Sequence, residues 1–255
     1  MKARWVFWDL GDTLFNKDPL RYHIYELLFE ALRSAGRRLD FPDLLVWREE
    51  LVKREDTKPH YTIAERELPE EVRAKWADAV RCHATGEWMH LVQPVSGAVD
   101  VLRQFAGRYR MGIIADQPEG TVKALVRLAI REHFEVLALD VLVGHRKPNE
   151  RLFRWALQEG GCSPDEAIMV GNRLDTDIAP ARRLGMRTIL CTFSPTEKGW
   201  EPETENARLY RESITRTPNW LATLNPARPD ETPDATVGTM SRIPAVLNRW
   251  DAAEP

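Results

Sequence analysis

The chain carries two kinds of hydrophobic pattern. Trp5–Trp8 is a short unbroken apolar run that ends at Asp9, which is typical of a parallel strand buried on both faces. Residues 16–92 instead place apolar side chains at helical spacing, and this helical block shows no strand pattern. We predict three helices in it, over 19–35, from Pro42 and from Pro69, with a polar loop over 56–67.

From residue 97 onward, helical and strand patterns alternate. Helices are predicted over 97–105, 119–130, 149–158 and 179–184. Strands are predicted over 111–115, 167–170 and 188–193, and one further strand is predicted to end near Val143. Such alternation predicts βαβ units and a parallel sheet, with ligands at the carboxyl ends of the strands. The predicted fold class is therefore α/β, with a Rossmann-like parallel-sheet core and an inserted all-helical domain.

These patterns divide the chain into three predicted parts. The core comprises 1–15 and 93–226, and the helical block comprises 16–92. Residues 195–206 are polar and predicted to be loop. Residues 226–234 are rich in proline and acid, which is typical of a linker, so 227–255 is predicted to be a linker and tail.

Four polar segments follow predicted strands, at 9–13, 114–116, 147–148 and 171–177. An Asp after a strand is more often a turn residue or a helix cap than a nucleophile, so each segment alone says little. Together, the carboxyl ends of parallel strands lie along one edge of the sheet, and we expect these side chains to lie close together.

In this order, with the helical block after the first, the segments resemble the four signature motifs of haloacid dehalogenase-like (HAD) hydrolases. The resemblance covers about residues 4–193. The amino-acid sequences of 144–149 and 175–181 also resemble those usual in the family. It implies the HAD fold, with the helical block acting as a cap domain that closes over the site and excludes water.

The resemblance also implies roles for individual residues. Asp9 would be the nucleophile that forms a covalent aspartyl intermediate, supported by Thr13. Lys147 would hold Asp9 and the phosphate by charge-assisted hydrogen bonds. The helix near Pro180 would begin at Asp177 and point its positive end toward the site.

A metal site is implied as well. Mg²⁺ would lie between Asp9, the backbone carbonyl of Gly11 and the side chain of Asn172. Asp177 would contact these ligands without binding the metal directly, or would bind the metal through a water molecule. Mg²⁺ is accordingly the expected cofactor.

The sequence departs from the family's phosphatase pattern at three positions. Gly11 stands where a second Asp usually protonates the leaving oxygen, and Asp12 follows it as a candidate replacement. Ala115 stands where a Ser or Thr usually binds phosphate, with Asp116 next to it. The resemblance places these two positions at the phosphate or substrate, together with Thr13 and Lys147. Asn172 replaces a metal-binding Asp, which keeps an oxygen ligand but removes a charge.

Three functions stay open at this stage. The first is a Mg²⁺-dependent phosphohydrolase acting on a small phosphorylated metabolite, with Asp12 as acid and base or with a good leaving group. The second is a catalytically weakened HAD fold used for binding or regulation, although it keeps Asp9, Lys147 and Asp177. The third is a haloacid dehalogenase, which Leu174 disfavours because those enzymes carry Asn there.

Composition narrows the partners. The 36 basic and 39 acidic residues give a net charge of -3, which provides no electrostatic reason to expect nucleic acid or an anionic membrane. Three scattered cysteines argue against a disulfide framework or a zinc site. The first apolar run is too short for a signal sequence, and no stretch approaches the roughly 18 apolar residues that span a bilayer. We expect a soluble, cytoplasmic protein, for which a homodimer stays open.

Two further expectations concern side chains outside the motifs. Arg21, Tyr22 and His23 are candidates for substrate contact because they begin the first helix after the Asp9 loop. His145 lies beside a motif but is expected to be structural.

Overall fold

The computed structural model describes residues 3–85, 90–118, 120–219 and 226–253. The strands are Trp5–Trp8 (β1), Phe15–Asn16 (β2), Gln93–Pro94 (β3), Arg110–Ala115 (β4), Val136–Leu139 (β5), Ala167–Gly171 (β6), Arg187–Cys191 (β7) and Ala235–Val237 (β8). The helices are Asp18–Ser34 (α1), Phe41–Lys53 (α2), Pro59–Glu67 (α3), Glu70–Thr85 (α4), Ala98–Phe105 (α5), Thr121–Arg127 (α6), Asp140–Val143 (α7), Glu150–Gly160 (α8), Ala179–Leu184 (α9), Pro195–Lys198 (α10), Glu205–Arg216 (α11) and Ile243–Ala253 (α12).

A parallel sheet of six strands, in the order β5-β4-β1-β6-β7-β8, forms the centre of the described part of the chain. Trp5 and Phe7 of β1 pack into the apolar cluster on one face, and Val6 and Trp8 pack into the cluster on the other. Both faces of the strand are therefore covered, which explains its unbroken apolar sequence. The predicted α/β fold class with a parallel sheet is confirmed.

Strand β1 lies between β4 and β6, so the chain that follows it leaves the middle of the sheet. The second, smaller sheet pairs β2 with β3 antiparallel, with Phe15 opposite Pro94 and Asn16 opposite Gln93. The chain therefore leaves the core for the helical block and returns from it at one place, directly beside the loop that carries Asp9.

The helical block contains α1–α4 within its described residues. The loop predicted over 56–67 is wrong beyond its first three residues, because α3 occupies Pro59–Glu67. Pro59 suits the first turn of a helix. The buried residues of α3 are Pro59, Ile63 and Ala64. Ile63 and Ala64 alone, in a polar stretch, give too weak a hydrophobic periodicity to predict so short a helix.

The strand predicted to end near Val143 is also placed wrongly. The apolar run divides into β5, which ends at Leu139, and a single helical turn, α7, which ends at Gly144 in the left-handed conformation. Val141 and Leu142 of this turn are exposed. Asp140 interrupts the run at this division, but the apolar residues that follow it were included in the predicted strand.

The segment after β7 contradicts the predicted loop over 195–206. It forms α10 and leads into α11, whose side chains pack on the helical block rather than on the sheet. Trp200 and Tyr210 both contact Tyr22 of α1. Their ring centroids lie 5.7 and 5.9 Å, respectively, from the ring centroid of Tyr22. The apolar cluster of the helical block is thus completed from the other end of the chain.

The region predicted to be a linker and tail also contributes to the core. Strand β8 pairs with β7 at the edge of the sheet, and Ile243, Val246 and Leu247 of α12 are buried in the main apolar cluster. The composition of 226–234 indicated a linker, whereas the apolar spacing that follows it is that of a packed helix. Among the described helices, none is both long enough and hydrophobic enough to cross a bilayer.

Arg48 of α2 is fully buried and ties the helical block to α11. Its guanidinium donates to the Ser213 hydroxyl at 3.1 Å, the Thr217 carbonyl at 2.8 Å and the Asn219 side-chain oxygen at 2.8 Å. Tyr210 lies under the guanidinium, with its ring centroid 5.9 Å away. The carbonyl oxygens at the end of α11, which a helix cannot satisfy by itself, are bonded in this way.

Replacing Arg48 by Met should lower the free energy of unfolding by about 2–3 kcal/mol, because the buried oxygens lose charged donors. Urea denaturation followed by circular dichroism measures this change. Arg38→Met is the matched control, since Arg38 is exposed in the same block. Equal stability of the two variants would show that Arg48 does not join α2 to α11.

Candidate active site

Asp9 lies at the carboxyl end of β1, where a tight loop holds it. Its backbone N–H donates to the Val170 carbonyl of β6 at 2.8 Å, and its side chain is buried. The Leu10 carbonyl accepts from the N–H groups of Leu14 and Phe15 at 3.0 and 2.6 Å, which closes the loop. Within this loop the Thr13 hydroxyl donates to Asp9 Oδ2 at 3.3 Å.

Lys147 joins Asp9 to Asp177. Its Nζ donates to Asp9 Oδ1 and to Asp177 Oδ1, both at 2.6 Å, and all three side chains are buried. Burial alone would lower the pKa of Lys147, but the two carboxylates outweigh burial and raise it. The lysine therefore stays charged and neutralises one of the two negative charges beside it.

Asp177 is held against the end of β6. Its Oδ2 accepts the backbone N–H groups of Asn172 and Arg173, both at 3.0 Å. A Cβ at Gly171 would lie 2.4 Å from this oxygen, so only glycine lets the carboxylate approach so closely. Residues 174–178 form a wide helical turn and α9 begins at Ala179, two residues later than the predicted start at Asp177.

The surroundings of Asp177 limit its role. Burial raises its pKa to about 6, although Lys147 acts in the opposite direction. One carboxylate oxygen is bonded to Lys147 and the other to two N–H groups. The side chain thus orients the lysine and the 171–173 backbone, and both of its oxygens already accept hydrogen bonds.

Asp12 does not face Asp9 as a general acid would. The Arg21 guanidinium donates to both of its carboxylate oxygens, at 2.9 and 2.6 Å, and Lys198 Nζ lies 3.1 Å from Oδ1. Burial acts to raise the pKa of Asp12, but Arg21 and Lys198 outweigh it and hold the pKa well below its usual range. A carboxylate held ionised by two cations has no proton to give, which argues against the predicted acid and base role.

The same cations bind Asp18 at the start of α1. Lys198 Nζ donates to Asp18 Oδ1 at 2.7 Å, and Arg21 donates to the same oxygen at 3.3 Å. Asp12 belongs to the core loop, Asp18 and Arg21 to α1, and Lys198 to α10. This buried charge cluster fastens three parts of the chain together beside the site.

The strand ends on the other side of Asp9 place the remaining motif residues. Ala115 is fully buried at the end of β4 and offers no polar group. Asp116 follows it, and its Oδ1 accepts the backbone N–H of Lys147 at 2.9 Å. Burial raises the pKa of Asp116. Its observed contact supports the lysine segment, whereas the prediction placed it at the phosphate.

Asn172 lies at the edge of the site and lines a cavity of about 240 Å³. The walls of this cavity also include Asp12 and Lys198 of the charge cluster and the residues that follow β7. Of the predicted contacts at the start of α1, Arg21 reaches the loop after Asp9. Tyr22 and His23 bond with Glu26 of the same helix, and Tyr22 also bonds with Thr204.

Sequence reasoning missed Lys17, Gln117 and Lys198. A Cβ at Gly11 would lie 3.5 Å from Lys17 Nζ and 3.6 Å from Gln117 Nε2, so these side chains fill the space beside the glycine. Lys17 could have been found, since it directly precedes the first helix after the Asp9 loop. Nothing in the polar stretch around Lys198 marked that residue.

The geometry can be set beside known proteins. The family model of haloacid dehalogenase-like hydrolases matches residues 6–191, a range that includes Asp9, Lys147 and Asp177. The chain belongs to this family. This HAD hydrolase is 30% identical over 189 residues to the glyceraldehyde 3-phosphate phosphatase of Pyrococcus furiosus, covering 72% of this chain and 78% of that one. It is 26% identical over 198 residues to a pyrimidine 5'-nucleotidase of Escherichia coli, covering 74% and 85%.

Solved structures agree on the fold. A HAD phosphatase from Thermococcus onnurineus has a TM-score of 0.57 at 17% identity, with 97% of this chain and 98% of that chain covered. The 2-haloacid dehalogenase of Pseudomonas syringae has a TM-score of 0.53 at 21% identity, with 97% and 99% covered. Both likenesses extend beyond the core of this HAD hydrolase to its helical block.

Gly171→Ala should lower the free energy of unfolding by about 1–3 kcal/mol, because the new methyl group would push against Asp177. Urea denaturation measures the change. Gly238→Ala is the control, since a Cβ there meets no atom within 4 Å, and its stability should match wild type within about 0.5 kcal/mol. A Gly171→Ala protein as stable as the control would mean that Asp177 is not held against β6.

Proposed function

We propose that this hydrolase is a phosphohydrolase that acts on a small phosphorylated metabolite through an aspartyl-phosphate on Asp9. The observation that carries the proposal is the buried Asp9–Lys147–Asp177 array, with Lys147 Nζ 2.6 Å from each carboxylate. The array supplies a nucleophile of fixed orientation and a cation beside the position of the incoming phosphoryl group. The phosphate monoesters named for the two relatives are substrates of the same chemical class.

The proposed reaction has two displacements at phosphorus. Asp9 attacks the phosphoryl group, a new bond forms between its oxygen and phosphorus, and the bond to the leaving oxygen breaks. Lys147 stabilises the negative charge that collects on the phosphoryl oxygens. Water then attacks the phosphorus of the aspartyl-phosphate, the bond to Asp9 breaks, and inorganic phosphate and the original carboxylate are regenerated.

The donor atoms beside Asp9 fit Mg²⁺ as a partner of the phosphate. Within the described ranges, no three His, Cys, Asp or Glu side chains are grouped to hold a metal. Asp9, the Gly11 carbonyl and the Asn172 amide oxygen would provide one charge and three oxygens, a set suited to Mg²⁺ that shares the substrate's phosphate. The bound ion would neutralise phosphoryl oxygens. Asp177 would contribute only by holding the 171–173 backbone.

The two other functions have less support. In a HAD fold kept only for binding, nothing would require two carboxylates and a lysine to be buried together, since burial of unneeded charge is costly. For a dehalogenase, position 174 is expected to offer a polar side chain. Leu174 instead packs with Ile178 and Leu190 in an apolar cluster. A metabolite phosphatase of this kind is proposed to work in the cytoplasm.

The purified protein should hydrolyse p-nitrophenyl phosphate in the presence of Mg²⁺, and Asp9→Asn should reduce kcat at least about a thousandfold. The reduction follows because the amide cannot form the covalent bond. Acid quenching during turnover of a ³²P-labelled substrate should trap label on the protein, and hydroxylamine should release it. Asp100→Asn, an exposed substitution on α5, should keep both turnover and label. A wild-type protein that neither turns over nor becomes labelled would refute the proposal.

Binding of a phosphate mimic, which requires no turnover, should also depend on Asp9. Mg²⁺ with BeF₃⁻ should raise Tm by several degrees, because a ligand that binds only the folded state stabilises it. Mg²⁺ alone should raise Tm much less, since the proposed set of metal ligands contains one carboxylate, that of Asp9. Differential scanning fluorimetry measures both shifts. Asp9→Asn should remove the BeF₃⁻ effect, and an equal shift in this variant would place the mimic elsewhere.

A further inference from the structure

The space beside Gly11 is filled by a cation. Lys17 Nζ lies 3.5 Å from the position of a Cβ at Gly11 and donates to Gln117 Oε1 at 2.9 Å. Gln117 is itself fixed, since its backbone N–H donates to Asp140 Oδ1 at 2.7 Å. The lysine is therefore held by the strand ends on one side of the site and cannot be regarded as a freely moving surface side chain.

Lys17 lacks the anionic partners that the two buried lysines near it have. Lys147 binds Asp9 and Asp177, and Lys198 binds Asp12 and Asp18, whereas within the described residues Lys17 forms no ion pair with a carboxylate. Its partner is a neutral amide. A partly buried ammonium ion without a counter-charge is costly, so this position favours the arrival of an anion.

The electrostatics of Lys17 agree with this geometry. Burial, with the Arg21 guanidinium nearby, lowers the pKa of Lys17 to about 8. The charges of Asp12 and Asp9 act in the opposite direction, which shows that the ammonium lies within electrostatic reach of the nucleophile. The lysine still carries its charge at neutral pH.

The position of Lys17 in the chain fixes which side of the substrate it faces. In a displacement at phosphorus, the attacking and leaving oxygens lie roughly in line on opposite sides. Asp9 attacks from the sheet, so the leaving oxygen points away from the sheet and toward the helical block. Lys17 directly precedes α1, where the chain enters that block. Lys147 is on the nucleophile's side, bound to Asp9 itself.

We propose that Lys17 is a catalytic residue that donates a hydrogen bond to the leaving oxygen and stabilises its negative charge as the bond to phosphorus breaks. The inference rests on the proposed phosphohydrolase function and extends it to the leaving group. The ammonium acts by its charge and its N–H groups, while the departing oxygen keeps the electron pair of the broken bond and takes its proton from water. Gly11 itself adds no side chain to the space in front of the lysine.

The inference has a consequence for the substrates. A leaving oxygen that develops much negative charge, such as an alkoxide or a simple phenoxide, needs the cation. A p-nitrophenoxide is stable by itself and needs it little. The enzyme should therefore accept ordinary phosphate monoesters, without being restricted to acyl phosphates or anhydrides.

The test compares leaving groups. Wild type, Lys17→Met and Lys17→Arg are assayed with Mg²⁺ on p-nitrophenyl phosphate and on phenyl phosphate. For Lys17→Met, kcat should fall about 100-fold with phenyl phosphate, as for loss of one preorganised donor, and by less than about 5-fold with p-nitrophenyl phosphate. Lys17→Arg keeps the charge and should keep most of the wild-type ratio between the two substrates. Lys53→Met, an exposed lysine of α2, is the control and should match wild type.

The outcomes separate this inference from the proposed function. A wild-type protein inert on both esters refutes the phosphohydrolase and the role of Lys17 together. An active wild type whose Lys17→Met variant loses the same factor on both esters refutes only the role of Lys17, because a structural defect does not depend on the leaving group. Circular dichroism establishes folding, and if Lys17→Met does not fold, Lys17→Gln provides the same comparison.

Discussion

The site depends on one ammonium ion shared by two buried carboxylates. Without Lys147, Asp9 and Asp177 would place two negative charges in a nearly dry environment, where their mutual repulsion and loss of hydration would drive protonation or rearrangement. With it, the three groups form a unit of net charge minus one, which still attracts a cation and can accept a phosphoryl group. The tight loop after β1, the close approach at Gly171 and the support from Asp116 all serve to keep this unit in place.

The other buried charges near this unit have different functions. The Asp12, Asp18, Arg21 and Lys198 cluster is internally neutral, with two carboxylates and two cations, and its members satisfy one another. It therefore holds the core loop, α1 and α10 together without changing the charge at Asp9. Lys17 stands outside both groups. Among the described residues around the site, Lys17 is bonded to a neutral amide and forms no ion pair with a carboxylate.

Much of this arrangement could be predicted from the sequence. Asp9, Lys147 and Asp177 were expected together because each follows a parallel strand or precedes a helix on the same edge of one sheet, and topology alone fixes that edge. The ion pairs of Asp12 with Arg21 and Lys198 were not predicted, for a local reason. Its backbone adopts a positive φ of 61°, and Arg21 lies one turn into α1, so the side chain turns to the arginine instead of to the nucleophile. Hydrophobic patterns cannot reveal such a turn. They also could not reveal Lys198, which reaches Asp18 across 180 residues of sequence.

The packing of α11 on the helical block has a consequence for biosynthesis. The block's own helices end at Thr85, but its apolar cluster also needs Trp200, Tyr210 and Ile214. When the helical block leaves the ribosome, these side chains have not been made, and the face that they will cover is open to water. The block can complete its interior only after β4 to β7 have also been synthesised. The helices that look like an independent insertion in the sequence are therefore expected to complete their folding only after most strands of the sheet have been made.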